Sequence, residues 1–199
     1  EKLVNATNFF NGVAEDVFGQ ALAVVCAEGA AQENVINVHQ NPSLQAEGYT
    51  LDRELLARNT GFTTEAAFEF VTGNSDPVFI NRVSDMYREL YNTEGLDMIT
   101  LFDGVLETME RLYSKGIKFA VTTNNVSEVI EAMTKRLGMD KYLDNIVCLD
   151  NVENGKPAPD IYLYGAASLD LKPKECLALE DSPTGILSAY RAGCLSVMI

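Results

Sequence analysis

The spacing of apolar residues changes character along this chain, and the change divides it in two. From residue 104 onward, helix-period and strand-like segments alternate. Gly104 opens VLETMERLYSKG, where Val105, Leu106, Met109 and Leu112 recur at helical spacing and Gly116 supplies a stop. IKFAVT (117–122) then reads as a buried strand, SEVIEAMTKRLG (127–138) as a helix and NIVCL (145–149) as a short strand. DIYLYGAASL (160–169) reads as a helix, CLALE (176–180) as a strand, PTGILSAYRAG (183–193) as a helix, and CLSVMI as a last apolar run. Strands joined by single-helix crossovers predict an α/β fold with a doubly wound, parallel, Rossmann-like sheet.

Residues 8–95 carry helical patterning and almost no strand signal. NFFNGVAEDVFGQALAVVCA, LDRELLAR, TEAAFEFV and PVFINRVSDMYRELY each read as helical, with a polar stretch near 30–48 after the first. The expected organisation is an α/β core formed by residues 1–7 and 96–199, with 8–95 inserted as an α-helical cap.

Charge and composition narrow the function classes. The 15 basic and 29 acidic residues leave a net charge of −14, which repels nucleic-acid backbones and anionic membranes alike. No nucleic-acid or membrane partner is expected. A phosphorylated substrate is repelled at long range too, so a site for one must be locally positive. No apolar run approaches the ~20 residues that cross a bilayer, and the N-terminus lacks the pattern of a secretory signal. A cytoplasmic location, or an organelle stroma or matrix, is expected. Cys26, Cys148, Cys176 and Cys194 form no CxxC pair and read as buried free thiols of a reducing compartment. The single histidine, His39, lies in the polar stretch NVINVHQNPS, which leaves little support for a Ser-His-Asp or Cys-His mechanism.

Chemistry concentrates where strands of the second half end, which is where an open parallel sheet places its ligands. In AVTTNN an apolar strand runs out into Thr122, Thr123 and Asn124, hydroxyls and an amide able to donate to phosphate oxygens ahead of a helix. Thr and Asn also cap helices at such positions. NGKPAPDIY (154–162) presents Lys156 on a loop stiffened by Pro157 and Pro159. In LALEDSPTG (177–185), Glu180 and Asp181 end a buried strand. Adjacent carboxylates there are costly unless they bind a cation, and oxygen ligands suit Mg²⁺; the simpler alternative is that Asp181 or Ser182 is a helix cap. Thr123, Lys156 and Asp181 are 33 and 25 positions apart, each at a strand exit.

GIKFAVTTNN, GKPAPDIY and CLALEDSPTGILSAYRAG resemble motifs II, III and IV of the haloacid dehalogenase superfamily. The likeness covers residues 103–199 well and the cap loosely, and the Glu-Asp-Ser form of motif IV favours the branch of β-phosphoglucomutase and small sugar-phosphate phosphatases. The resemblance implies that Thr123 and Lys156 hold the transferring phosphoryl group; Asn124, from its type and place, is a further candidate for phosphate binding. The resemblance also implies that Asp181 ligates Mg²⁺, with Glu180 supporting it directly or through water. Arg58, in LLARNTGF, is a candidate for substrate recognition from the cap.

Motif I of that family, Asp-x-Asp-Gly, is absent: no Asp-x-Asp occurs in the chain. Asp103 in LFDGVLET leads into a helix and lacks the paired aspartate. The start EKLVNATNFF fits in two registers. In one, Leu3-Val4-Asn5 follows motif I and the nucleophile lies upstream of Glu1. In the other, Lys2-Leu3-Val4 begins the first strand, and Thr7 and Phe9 stand where aspartates belong. The chain therefore reads as truncated at both ends. The family's motif I strand runs between the motif II and motif IV strands. Its loss leaves a gap of about 9.6 Å, twice the ~4.8 Å strand spacing, and unpaired backbone groups worth roughly 1–3 kcal/mol each. Something must fill that slot: residues 1–7 in altered register, a segment outside the given sequence, or another chain.

Three functions are consistent with these residues. The first is a Mg²⁺-dependent phosphatase or phosphomutase for a small phosphorylated metabolite, working through a phosphoaspartyl intermediate. The second is an inactive relative used as a structural subunit or binding module, docked on a partner chain. The third, hydrolytic dehalogenation, is disfavoured by Glu180-Asp181.

Overall fold

The computed structural model describes residues 23–26, 44, 47–49, 63–90, 101 and 103–198. Within them, five parallel strands form one sheet: β1 (Ala23–Cys26), β2 (Phe119–Thr122), β3 (Asn145–Val147), β4 (Cys176–Glu180) and β5 (Leu195–Met198), in the order β3-β2-β1-β4-β5. Six helices accompany them: α1 (Thr64–Thr72), α2 (Pro77–Leu90), α3 (Val105–Tyr113), α4 (Ser127–Arg136), α5 (Asp160–Ser168) and α6 (Pro183–Ala192). The doubly wound parallel sheet expected from the pattern is present.

Every residue of β2 and β4 is buried, as a parallel sheet covered on both faces requires. Alternation sorts them. Phe119, Leu177 and Leu179 pack with Met109 and Leu112 of α3, and Val121 packs with Ile130 and Met133 of α4. Ala120, Cys176 and Ala178 face the other way, onto Ile161, Tyr162 and Ala166 of α5 and Ala189 of α6. By the same period of two, Thr122 and Glu180 belong to the α5–α6 side. Helix ends follow local chemistry: Gly193 stops α6 in the left-handed region at φ 86°, where a side chain is strained.

One assignment from the sequence pattern is overturned. Residues 23–26 lie inside the span read as a helical cap, 8–95, and inside the first segment read as helix, yet they form the central strand. Val25 pairs with Ala120 of β2 and with Ala178 of β4. The slot between the two strands is thus filled by β1 and not by residues 1–7, which lie outside the described residues. AVVC carries two β-branched valines, a strand preference, but four apolar residues without alternation do not separate strand from helix.

The helical reading of TEAAFEFV and PVFINRVSDMYRELY agrees with α1 and α2, while LDRELLAR lies outside the described residues. Thr63 caps α1 by accepting from the Ala66 N–H at 3.2 Å, and Asp76 caps α2 by accepting from Val78 at 3.1 Å. Phe68, Phe79, Ile80 and Val83 form their shared core with Leu44. Among the described residues, no helix is long and apolar enough to cross a membrane.

A proline in β1 tests its central place. Val25→Pro removes a ladder N–H and introduces a ring clash without changing the sheet's other residues. The expected cost is about 3 kcal/mol or more, seen as loss or strong lowering of the cooperative circular-dichroism melt. A melt like that of the wild type would remove β1 from the sheet.

Candidate functional site

The carboxyl ends of β2 and β4 flank β1 on either side. Cys26, the last paired residue of β1, is level with Val121 and Leu179, so Thr122 and Glu180 each extend one residue further. The loop from 152 to 159 supplies the side chain that joins them. Lys156 Nζ donates to the Thr122 carbonyl at 3.0 Å and to Glu180 Oε1, reaching from one flanking strand to the other.

This ion pair is enclosed. The side chains are 4% exposed at Lys156 and 0% at Glu180. Tyr162, in the first turn of α5, donates its phenolic O–H to the same Glu180 Oε1, and its ring lies 5.3 Å from the Lys156 ammonium. Burial first, and the Glu180 charge next, push the Tyr162 phenol well above its ordinary pKa, so it stays a proton donor. The other carboxylate oxygen, Oε2, accepts from Ser182 Oγ at 3.3 Å. A Cβ placed on Gly185 would lie 1.9 Å from it. Glycine is therefore the floor on which the carboxylate rests.

Asn124 meets the same loop from β2. Its Oδ1 accepts from the Lys156 backbone N–H at 2.7 Å, and its Nδ2 donates to the Lys156 carbonyl at 3.1 Å. Gly155 makes room for this contact, since a Cβ there would fall 2.6 Å from Asn124 Oδ1. Thr123 is buried, and its Oγ1 accepts from the Asn125 N–H at 3.0 Å. This bond closes a local turn ahead of the next helix, α4, which is capped at Val126 without a side-chain hydrogen bond. The Lys156–Pro157 peptide is cis.

Of the residues singled out from the sequence, Thr123, Asn124, Lys156, Glu180 and Asp181 converge on these strand ends: Thr123 follows Thr122, and Asp181 follows Glu180. Arg58 and His39 lie outside the described residues. The sequence reading passed over Tyr162 and Gly185. Tyr162 stands in the very nonapeptide that drew notice, and a tyrosine on an otherwise apolar helix face is a usable signal, because its hydroxyl needs a partner when buried.

Glu180 and Asp181 are unequal as Mg²⁺ ligands. Both Glu180 oxygens are engaged by Lys156, Tyr162 and Ser182, whereas Asp181 is partly exposed at the strand exit. No group of three or more His, Cys, Asp or Glu side chains is gathered among the described residues. Mg²⁺ needs no such cage: one or two carboxylates, waters and substrate phosphate complete its octahedron. The donor set fits the ion through Asp181.

Cys148, Cys176 and Cys194 are buried, and burial pushes Cys176 to about 11 and Cys194 to about 12. Both stay protonated and unreactive near neutrality.

The sequence model of the haloacid dehalogenase-like hydrolases matches residues 31–199, a span that begins after β1. Hexitol phosphatase A of Escherichia coli (strain K12) is 39% identical over 106 residues, which are 53% of this chain and 47% of that protein. The chain thus spans about half the length of the curated relatives it matches. Among solved structures, a haloacid dehalogenase-like hydrolase from Bacteroides fragilis superposes with a TM-score of 0.81 at 22% identity, over 88% of this chain and 85% of that one. β-Phosphoglucomutase from Clostridium difficile gives 0.79 at 20% identity, over 90% and 83%. At such identities the structural likeness concerns the fold alone. Hexitol phosphatase A is a phosphatase of the kind to which the three loops were compared.

Gly185→Ala tests the enclosed carboxylate. The added methyl displaces Glu180 from Lys156 and Tyr162, at an expected cost of roughly 3–5 kcal/mol, the range for breaking a buried ion pair. Urea unfolding measures it. A loss below about 1 kcal/mol, the ordinary effect of a point change, would mean that the carboxylate is not confined there.

Proposed function

The chain belongs to the haloacid dehalogenase-like hydrolase family, and on that footing we propose that it is a Mg²⁺-dependent phosphatase or phosphomutase for a small phosphorylated metabolite, a sugar phosphate above all. The observation that carries this reading is the Lys156 ammonium held between the ends of β2 and β4. An ammonium has three donors. Thr122 and Glu180 take two, which leaves one for a phosphoryl oxygen. The Thr123 hydroxyl, one residue past the Thr122 carbonyl that anchors Lys156, is the second group proposed to contact phosphate.

Charge explains why a metal is part of the proposal. Lys156 is offset by Glu180, so this buried pair adds no net positive charge. A phosphate dianion does not settle against it unaided. Mg²⁺ at Asp181 would supply the missing positive charge and draw electron density from the phosphoryl oxygens. Glu180, with both oxygens engaged, holds the lysine; it joins the metal only through water. Names of relatives support the substrate class: one is a hexitol phosphatase and one a β-phosphoglucomutase.

Attack on phosphorus needs a nucleophile, and by the resemblance it is an aspartate that forms a phosphoaspartyl intermediate. The given chain has no Asp-x-Asp, and β1 is followed by Ala27, Glu28 and Gly29. The proposal therefore places that carboxylate outside the given chain, on a segment other than the one filling the central slot. Arg58 of the cap is proposed to read the part of the substrate remote from phosphorus.

The test is turnover of hexose, hexitol and pentose phosphates by the full-length gene product, with Mg²⁺ and with EDTA. Metal-dependent release or transfer of phosphate is expected. Lys156→Met lowers kcat/KM by about 10²–10³, as loss of a charge-stabilising donor does, and Asp181→Asn raises the Mg²⁺ needed for half-maximal rate. Binding of phosphate without turnover of any of these substrates would overturn the enzymatic reading.

A further inference from the structure

A lysine head group ends a flexible four-carbon stem, and its direction at this site is set at two points. We propose that Asn124 and Tyr162 are positioning residues that mount Lys156 at its two ends, so that its third N–H points at the phosphoryl group. This rests on the reading that Lys156 contacts phosphate. The backbone end is gripped by Asn124. One amide side chain takes both the N–H and the C=O of Lys156, the pairing a neighbouring strand would otherwise make, and ties a loop residue to the exit of β2 across 32 positions. Gly155 and Asn124 fit each other closely, so the grip tolerates no bulk on the loop.

The ammonium end is gripped through Glu180. A carboxylate held by lysine alone would swing with it. Tyr162 donates to the same oxygen that Lys156 uses, while Ser182 and Gly185 fix the other oxygen. The acceptor is therefore stationary, and the lysine aligns to it. Neither residue touches the phosphate in this scheme. Both act through Lys156.

A plainly structural role for either residue makes a different forecast, and a double-mutant cycle separates the two. Binding of inorganic phosphate in the presence of Mg²⁺ is measured by calorimetry on the full chain, for Asn124→Ala, Tyr162→Phe, Lys156→Met and the two double variants. Each of the first two is expected to weaken binding about tenfold, within the range that misplacement of a site group produces, and to have no further effect once Lys156 is methionine. Wild-type binding by both single variants, or losses that persist unchanged in the Lys156→Met background, would overturn the mount. A wild-type chain that binds no phosphate, or a Lys156→Met chain that binds it equally well, defeats the underlying function and the mount together.

Lys156→Met strands Glu180 and can fail to fold, so a second measurement stands independently. Reductive methylation by formaldehyde and borane, read by mass spectrometry, reports the accessibility of each amine. Lys118, whose ammonium donates to the Leu169 carbonyl at 2.6 Å, serves as internal reference. Faster labelling of Lys156 with Lys118 unchanged is expected in Asn124→Ala and in Tyr162→Phe. Equal acceleration of both lysines would reveal general loosening and refute the mount.

Discussion

A lysine ammonium withdrawn from water needs a fixed negative partner and acceptors for its remaining protons, and here that need joins three crossovers of one sheet. The loop before α5 supplies Lys156, β2 supplies the Thr122 carbonyl, and β4 supplies Glu180. Desolvating two charges costs several kcal/mol per ion, and their attraction repays it only with good geometry and further hydrogen bonds. The further bonds are present: Tyr162 and Ser182 complete the carboxylate. The glycines at 155 and 185 then follow as steric requirements of the pair's surroundings. The pair also depends on β1, since the two flanking strands keep their separation only with a strand between them.

The same pair shapes the electrostatics. The net charge of −14 acts over the ~8 Å that salt permits and disfavours anions near the surface. A buried, neutralised lysine does little against that field. What the proposed role draws on is direction: a third N–H beside two fixed ones, strengthened by the low local dielectric. Attraction has to come from elsewhere, and the partly exposed Asp181 is the position from which a divalent ion would provide it. In the proposed site, positioning falls to the protein and attraction to the metal.

Much of this was legible from apolar spacing and three short loops. β2 and β4 announce themselves as uninterrupted apolar runs because both faces of the sheet are covered. The helix before β2 stops short of Gly116, and the helix after β4 is framed by Ser182 with Pro183 and by Gly193. β1 escaped because AVVC is four residues long and continues a helical pattern; its strand state is chosen by the slot between β2 and β4. That a segment must fill the slot followed from strand spacing and backbone pairing, but which segment did not. Asn124 shows another limit. Its type and place suit a phosphate donor, while its observed bonds run to a backbone 32 residues away, and no local pattern records such a contact.

Glu180 and Asp181 are neighbours with the same charge, and it is the period of two that separates their tasks. Residues 176, 178 and 180 of β4 face α5 and α6, where Tyr162 and Gly185 wait, so Glu180 is delivered into the enclosed side of the sheet. Asp181 comes one step later, where the strand has ended and water begins. A register shift of one residue would exchange them, burying Asp181, one methylene shorter, against Lys156 and exposing Glu180. The register of β4 against β1, Leu179 with Cys26, therefore determines which carboxylate anchors the lysine and which stands at the partly exposed strand exit, and that register is held by Leu177 and Leu179 packing under α3. The chemistry proposed for the site is in this sense set by the core beneath it.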